Sequence, residues 1–321
     1  MPAEKLIIDA DPGVGDAIAI ALALSDPDLD VIAVTATAGL VSGEQAFRNL
    51  QTLVSMLDPP RWPRLGWSSA ARTMLPESPE RSGVFFRDGH YGLADCEIIE
   101  ALPHTPVDSA KILSDLVREW PGEFTLLTLG PLTNLQLAMD RHPAFLEQLK
   151  GLYCLGGSLS AHGNVTAASE FNIYADPESA RNVLTWPATK TLIPIETSHH
   201  FGLTFDQYDA LRIDEFSRLG MFLHKTLPYL LRENRIQLGR EGALLPELVA
   251  LAAVSRSRLF ERKSLRIDVE IAGELTRGMT VFDRRGVESR QPNIDVLTEV
   301  DHVGVRDYLT RLVRAADTDR E

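Results

Sequence analysis

The 321-residue chain has only two cysteines, fewer basic than acidic residues and no long apolar run. Cys96 and Cys154 form no metal-ligand spacing, so we expect a reducing, cytoplasmic environment. The net charge of −13 argues against a nucleic-acid partner, since phosphate binding needs a basic surface. The longest apolar run, residues 17–24, is too short to cross a bilayer, and the N-terminal residues lack the basic and apolar regions of a signal peptide. The sequence predicts a soluble protein without membrane association.

Strand-like and helix-like runs alternate along the chain. The predicted strands lie at residues 5–10, 31–37, 124–130, 151–157 and 190–195, and the predicted helices between them at 16–25, 42–57, after 130 and at 176–186. This alternation predicts an α/β fold with a mostly parallel central sheet flanked by helices, a Rossmann-like core with helical insertions.

The rest of the chain is predicted to complete the same domain. Residues 206–258 are mostly helical, followed by strand-like runs at 266–272, 279–283 and 294–300 and an amphipathic helix over 301–315. Residues 59–82 are rich in Pro, Arg and Ser and read as a surface excursion. Because nothing resembles an interdomain linker, we expect one domain spanning 1–321.

An acidic, glycine-rich stretch, DADPGVGDA, follows the first predicted strand. Ligands of open α/β sheets bind beyond the carboxyl ends of the strands, where Asp11 lies. Pro12 keeps Asp11 extended, Gly13 and Gly15 permit a tight turn, and Asp16 falls in the first turn of the next helix. Asp11 and Asp16 can therefore converge on one point, and hard carboxylate oxygens suit Ca²⁺ or Mg²⁺.

Other interpretations of this stretch stay open. Asp16 can simply cap the helix, and Asp9 can be no more than a strand-end residue. A dinucleotide site is rejected because the stretch lacks the G-x-G-x-x-G spacing and turns carboxylates toward the phosphates. The D-x-D pattern of Asp9 and Asp11 also occurs in haloacid-dehalogenase-type phosphatases, but no downstream lysine and acidic pair can be matched to that pattern.

A second polar segment, residues 156–180, follows another strand that ends in glycines. In an extended chain Glu170 and Asn172 face one way and Phe171 the other. Together with the nearby Asn164, these side chains offer the donors and acceptors that bind a sugar hydroxyl. The alternative is a polar loop end that precedes the helix start at Asp176.

These stretches together resemble the nucleoside hydrolase family of the inosine-uridine-preferring type. The family's D-x-D-P-G-x-D-D-A motif corresponds to DADPGVGDA, its GPLTN turn to residues 130–134, and its G-N-x-T…E-F-N-x-x-x-D-P run to GNVTAASEFNIYADP. The order and spacing of the motifs match from the N-terminus to about residue 255.

The resemblance implies a bound Ca²⁺ and hydrolysis of the N-glycosidic bond of a ribonucleoside or modified N-riboside. Carried over by position, Asp11 ligates Ca²⁺ and takes the proton of the attacking water. Asp16 and the carbonyl of Leu129 are further metal ligands. The residues implied to hold the 5′-hydroxyl side of the ribose are Asn164, Glu170 and Asn172. The partner is a small nucleoside-like molecule, and a homodimer or homotetramer is expected because members of the family commonly form them.

The sequence departs from the family pattern on the diol and leaving-group sides. Gly15 replaces an aspartate that grips ribose hydroxyls, and Leu40 replaces an asparagine. Pro246 and Glu247 replace a His-Asp pair, so Glu247 is expected to reach the metal while Pro246 cannot protonate the leaving base. An aspartate restored at position 15 is expected to raise activity on plain ribonucleosides.

Further departures concern histidines near the pocket. Asp88 stands where many members carry a histidine, with His90 two residues later. The leaving group is expected to be assisted by one of three other histidines: His162, His199 or His200. Two functions stay open: an N-glycosyl hydrolase with an altered substrate, which is favoured, and a catalytically weak or inactive relative that binds a nucleoside-like ligand.

Overall fold

The computed structural model describes residues 2–68, 88–89, 91–94, 96–97, 106–160, 162–285 and 291–315. Within these residues, ten strands form one sheet in the order β11-β10-β12-β7-β6-β5-β1-β2-β3-β4. The strands of this sheet are β1 (Glu4–Ala10), β2 (Leu29–Ala36), β3 (Arg64–Trp67), β4 (Val107–Asp108), β5 (Thr125–Thr128), β6 (Gly151–Leu155), β7 (Lys190–Ile193), β10 (Phe260–Val269), β11 (Thr280–Asp283) and β12 (Ile294–Val300). Strands β8 (Gly202–Thr204) and β9 (Gly242–Leu244) form a separate antiparallel pair.

Helices connect most of these strands. They are α1 (Val14–Ser25), α2 (Gly43–Leu57), α3 (Ser109–Glu119), α4 (Thr133–Arg141), α5 (Phe171–Ala175), α6 (Pro177–Thr185), α7 (Ile195–Ser198), α8 (Phe205–Leu211), α9 (Arg218–Leu238), α10 (Pro246–Ser255) and α11 (His302–Ala315). No helix in the described ranges is long and apolar enough to cross a membrane.

Apolar side chains on both faces of the sheet explain the layered arrangement. One core cluster packs α1, α2, α9, α10 and α11 on one face, and a second packs α3, α4 and α6 on the other. Helices α1 and α10 are apolar around most of their circumference, as expected for helices that are buried on several sides. The central strands β1 and β5 are buried on both faces, as is typical of parallel sheets.

The strand order changes direction next to β1, and this point positions the site. After β1 the chain adds β2 on one side, whereas β5 returns to pair with β1 on the other side. The loops that leave β1 and β5 therefore diverge and leave a crevice at the carboxyl ends of these strands. Asp11 follows β1 and Leu129 follows β5, so both lie at this crevice.

The α/β fold with a mostly parallel sheet is confirmed, and two local expectations are wrong. Residues 64–67 were expected in a surface excursion but form β3, because pairing with β2 stabilises a strand too short to show a period. Residues 170–172 do not form one extended segment: Glu170 is extended and caps the short helix α5, but Phe171 and Asn172 lie in its first turn. Most of the excursion, residues 69–82, lies outside the described residues, as does His90.

Candidate active site

Buried carboxylates lie at the carboxyl end of β1. Asp9 is fully buried and accepts hydrogen bonds from Thr35 Oγ1 at 2.5 Å and Asn134 Nδ2 at 2.8 Å. Its second oxygen, Oδ2, has no hydrogen-bond partner among the described residues. Burial raises the pKa of Asp9 to about 7, more than these hydrogen bonds lower it. Asp9 is thus a buried acidic side chain two residues before Asp11.

Asp11 and Asp16 are two further buried carboxylates, and both line the same cavity. Burial raises the pKa of Asp11 to about 8, although the backbone N–H of Leu40 donates to its Oδ2 at 2.6 Å. Burial, followed by repulsion from Asp11 and then from Glu247, raises the pKa of Asp16 well above its usual value. These shifts show that the carboxylates are close enough to repel one another in a setting with little water.

The N-terminus of α1 receives two of the acidic side chains. Asp16 accepts a long hydrogen bond of 3.4 Å from the Gly13 N–H, so the capping role is present, although weak. Asp88 Oδ1 accepts from the Val14 N–H at 2.5 Å. Both contacts follow from the unpaired N–H groups and positive dipole end of a helix N-terminus. Asp88 therefore belongs to the acidic cluster, although it is remote in sequence.

Glycines provide the space that these carboxylates occupy. A Cβ at Gly39 would lie 2.1 Å from Asp11 Oδ2, and one at Gly130 would lie 2.4 Å from Asp11 Oδ1. A Cβ at Gly15 would lie 2.4 Å from Glu247 Oε2. All three distances are far shorter than van der Waals contact, so a side chain at any of these positions would displace a carboxylate. Positions 39 and 130 are thus occupied by glycine for a steric reason, which the local sequence does not reveal.

The polar segment after β6 forms the adjoining wall. Glu170 Oε2 accepts from the backbone N–H of Gly157 at 3.0 Å and of Ile173 at 3.2 Å, and burial raises its pKa to about 7. Asn172 Nδ2 donates to the carbonyl oxygen of Leu129 at 2.6 Å. The capping role that the sequence left open for Glu170 is therefore present, but the side chain also lines the cavity.

One cavity collects the predicted site residues. Its polar lining side chains are Asp11, Asp16, Asp88, Asn164, Glu170, Asn172, Ser198, His199 and Glu247. Leu129, Leu40, Gly15 and Pro246 also line it. Every residue predicted from the sequence to bind substrate or metal thus borders one space. The side-chain oxygen of Asn164 already accepts a hydrogen bond, from the Phe171 N–H at 2.8 Å.

The three candidate histidines differ in position. His199 is half-buried and lines the cavity, whereas His200 is exposed and packs its ring 6.4 Å from that of His302. His162 is exposed; its Nδ1 lies 2.9 Å from Ser160 Oγ and 3.6 Å from Glu196 Oε1. Of the three, the structure brings only His199 to the cavity wall.

Glu196 anchors the loop that follows β6. It accepts from the backbone N–H of Leu159 at 2.9 Å and of Ser160 at 2.7 Å, and from Ser158 Oγ at 2.9 Å. The Ser160 hydroxyl also donates to Glu196. Burial would raise the pKa of Glu196, but the hydrogen bonds from the Ser160 hydroxyl and from the backbone N–H groups of Leu159 and Ser160 hold it below its usual value. Sequence reasoning missed this residue because its partners lie on another segment.

The donor chemistry of the cavity fits a hard divalent cation. Asp11, Asp16 and Glu247 supply carboxylate oxygens, and Leu129 supplies a backbone carbonyl. However, no group of three or more His, Cys, Asp or Glu side chains in the described part of the chain is already arranged to hold a metal ion. Binding would therefore require the carboxylates to turn toward one another, and the ligand set stays a prediction.

Comparison with known proteins identifies the family. The model of the "Inosine-uridine preferring nucleoside hydrolase" family matches residues 6–307. The chain belongs to this family. Its members hydrolyse the N-glycosidic bond of ribonucleosides, so the chain is an N-glycosyl hydrolase by family. The resemblance derived from the three motifs is confirmed.

The relatives match over most of their length but act on different bases. Uridine nucleosidase 1 of Arabidopsis thaliana is 33% identical over 88% of this chain and 82% of its own. The non-specific ribonucleoside hydrolase RihC of Escherichia coli is 30% identical over 97% and 98%. Pyrimidine-specific RihA of Salmonella enteritidis is 30% identical over 96% and 97%. The base is thus a property of each relative and not of the family.

Solved structures share the fold at similar distance. The plant nucleoside hydrolase PpNRh1 superposes with a TM-score of 0.85 at 28% identity, covering 97% of this chain and 99% of its own. A purine-preferring ribonucleoside hydrolase from Gardnerella vaginalis gives 0.84 at 25% identity, covering 98% and 99%. The whole described architecture is therefore that of a nucleoside hydrolase.

Proposed function

We propose that this chain hydrolyses the N-glycosidic bond of a ribonucleoside or modified N-riboside and that it requires Ca²⁺. The observation that carries the proposal is the cluster of buried carboxylates lining one cavity at the ends of β1 and β5. Burial raises the pKa values of Asp11 and Asp16, and repulsion from neighbouring carboxylates adds to this, so a divalent cation would relieve that repulsion. The residues proposed to hold it are Asp11, Asp16, Glu247 and the carbonyl of Leu129. When bound, such a cation lowers the pKa of water and so favours hydroxide.

Asp11 is the proposed proton acceptor for the attacking water. Its Oδ2 is fixed by the Leu40 N–H, and Gly39 and Gly130 leave room for its two oxygens. The Leu40 N–H thus holds one oxygen of this carboxylate at the cavity wall, and the glycines leave space for both oxygens. The nearby anionic groups also favour the positive charge that develops on the sugar in glycoside cleavage.

The proposed sugar site is the wall formed by Asn164, Glu170 and Asn172. Glu170 and Asn172 are held by backbone groups from two neighbouring strand ends, which fixes their positions before a ligand arrives. Asn172 Nδ2 donates to the carbonyls of both Leu129 and Leu155, so the fixed Glu170 carboxylate and the Asn172 Oδ1 can accept from a sugar hydroxyl with little loss of side-chain entropy. We assign this wall to the 5′-hydroxyl side of the ribose.

The experiment is release of free base, measured by chromatography, from a panel of plain, deoxy and modified nucleosides. It is run with Ca²⁺ and with chelator, and with Asp11→Asn and Asp140→Asn. Asp140 is exposed and lies outside the cavity, where it accepts a hydrogen bond from Gln136 Nε2 at 2.8 Å, so it is the matched control. We expect Ca²⁺-dependent release that Asp11→Asn abolishes and Asp140→Asn preserves. Nucleoside binding by calorimetry without any release would instead support the alternative, an inactive binding relative.

The remaining parts of the proposal concern domain, assembly and location. The continuous sheet supports a single domain over 1–321. Cys96 and Cys154 are free and buried, in accordance with a cytoplasmic location. A homodimer or homotetramer is proposed from the family, and light scattering of the purified chain is the measurement that decides it.

A further inference from the structure

Cleavage of an N-glycosidic bond requires help on the side of the leaving base. Heterocyclic bases leave poorly as anions, so a general acid that protonates a ring atom lowers the barrier. The acidic cluster around Asp11 and Asp16 serves the opposite need, because it accepts protons and attracts positive charge. The proposed function therefore leaves one role unassigned, and the following inference rests on that function.

The β8–β9 pair brings two segments together next to the cavity. Gly202 lies opposite Leu244, and the Leu245 N–H donates to the Phe201 carbonyl at 3.2 Å. The segments that flank this pair supply His199 on one side and Pro246 and Glu247 on the other, and all three residues line the same cavity.

The backbone holds His199 in this place. Its N–H donates to the Ile195 carbonyl at 2.9 Å, so the residue ends helix α7 directly after β7. Ring atom Nδ1 lies 3.2 Å from Ser198 Oγ, which restricts the rotation of the imidazole. The ring is half-buried, so it reaches both the cavity and solvent, as a residue that must be reprotonated requires.

The other polar lining groups are less suited to the role. Glu170 is held as an acceptor by two backbone N–H groups, and Asp88 accepts from the N-terminus of α1. Among the described residues that line the cavity, His199 is the only histidine. An unperturbed imidazole is also the side chain whose acid form exists near neutral pH and still releases its proton readily.

We propose that His199 is the general acid that protonates the leaving base. The bond between C1′ and the base nitrogen breaks, and that electron pair stays with the base. The imidazolium of His199 delivers a proton from Nε2 to the base, while the water oxygen bonds to C1′ and its proton passes to Asp11. The imidazole then recovers a proton from solvent and Asp11 releases one to it, so both groups return to their starting states and the overall change is addition of one water.

The test compares leaving groups that do and do not need a proton. His199→Gln is assayed on uridine and inosine and on 4-nitrophenyl β-D-ribofuranoside, whose phenolate leaves unaided. The kcat on the nucleosides is expected to fall about 10²- to 10⁴-fold, the usual contribution of a general acid, while hydrolysis of the nitrophenyl riboside stays near wild type. The nitrophenyl substrate also reports that the variant is folded. His200→Gln, which alters the exposed neighbouring ring, is the matched control and keeps both activities.

Each other result overturns the inference. If kcat of His199→Gln falls equally on all three substrates, His199 has a structural or positioning role. If its kcat on the nucleosides is unchanged, His199 is not the general acid. If the wild-type protein cleaves the nitrophenyl riboside but neither nucleoside, it is a glycosidase that does not protonate a leaving base. Wild-type protein that cleaves none of the three refutes the proposed function itself, and the inference fails with it.

Discussion

Gly15 and Glu247 share one space, and this makes Gly15→Ala an informative change. Gly15 lies in the first turn of α1, and the Glu247 carboxylate lies directly over it from the first turn of α10. An added Cβ would lie 2.4 Å from Oε2, 2.5 Å from Cδ and 2.7 Å from Oε1 of Glu247. Since ordinary contact begins at 3.4 Å, the carboxylate must retreat by about 1 Å.

The expected result separates stability from activity. Alanine gains about 0.5–1 kcal/mol over glycine within a helix, and crowding in a packed site costs about 1–3 kcal/mol. The carboxylate is the end of a flexible side chain, so much of the crowding is relieved by rotation. We expect the free energy of unfolding of Gly15→Ala to change by no more than about 1 kcal/mol. A displacement of 1 Å at a catalytic site, in contrast, lowers the rate about 10²-fold.

The assay is a double-mutant cycle with Glu247→Ala. In that background Gly15→Ala has no carboxylate to displace, so it is expected to be neutral or stabilising and to cause no further loss of kcat/KM. Both urea unfolding and Ca²⁺ affinity by calorimetry are measured for the four proteins. Gly151→Ala is the control, because its Cβ would meet only Tyr153 Cε2, at 3.9 Å.

Two results would refute this reasoning. Wild-type kcat/KM in Gly15→Ala would show that the position of the Glu247 carboxylate does not matter, and additive effects in the cycle would show that the two residues are not coupled. The same geometry reverses the sequence-based expectation for Gly15→Asp. A restored aspartate must displace Glu247, so it is expected to lower activity unless Glu247 is shortened as well.

Three further changes test other parts of the site. Asp16→Asn should reduce the rise in melting temperature that millimolar Ca²⁺ produces, because one proposed ligand is lost; an equal rise in wild type and variant would exclude Asp16 as a ligand. Burial raises the pKa of Glu170 to about 7, so its folded state binds more protons than its unfolded state between about pH 4.5 and 7, and its contribution to stability falls by about 3 kcal/mol as pH rises through that window. Glu170→Gln should remove this fall, and urea unfolding curves whose pH dependence matches wild type would contradict it. Gly130→Ala should destabilise the fold by about 1–3 kcal/mol, since its Cβ would lie 2.9 Å from the immovable backbone nitrogen of Asp11, and an unchanged unfolding midpoint would show that the loop after β5 can shift.

The positions of the main strands and of Asp11 and Asp16 could be predicted because their causes are local. Apolar runs of strand length precede DADPG and GPLTN, and Pro12 and Gly13 determine where β1 ends and α1 begins. The start of α2 also has a local cause, because Ser42 Oγ accepts from the Gln45 N–H at 3.2 Å. Such signals involve residues within one turn of each other, so the sequence displays them directly.

The remaining features depend on segments that are distant in sequence. Gly39 gives no local sign that it must leave room for Asp11 Oδ2, and the position of Asp88 at the start of α1 joins two separate loops. Glu170 and Asn172 were expected to share one extended segment, but Glu170 caps α5, and its carboxylate also accepts from the Gly157 N–H thirteen residues earlier. His199 lies in a stretch without periodicity, and its place at the cavity depends on how α7 follows β7, which the sequence does not display.

The carboxylate cluster links the stability of the fold to the occupation of the site. Asp9, Asp11 and Asp16 all have raised pKa values because burial disfavours their charged forms. At neutral pH the protein must therefore either keep protons on these groups or pair them with a cation. A proton on Asp11 would remove the base that the proposed reaction needs, whereas the proposed cation would allow a stable fold with Asp11 ionised. If the proposal holds, cation binding and folding should be measurably coupled.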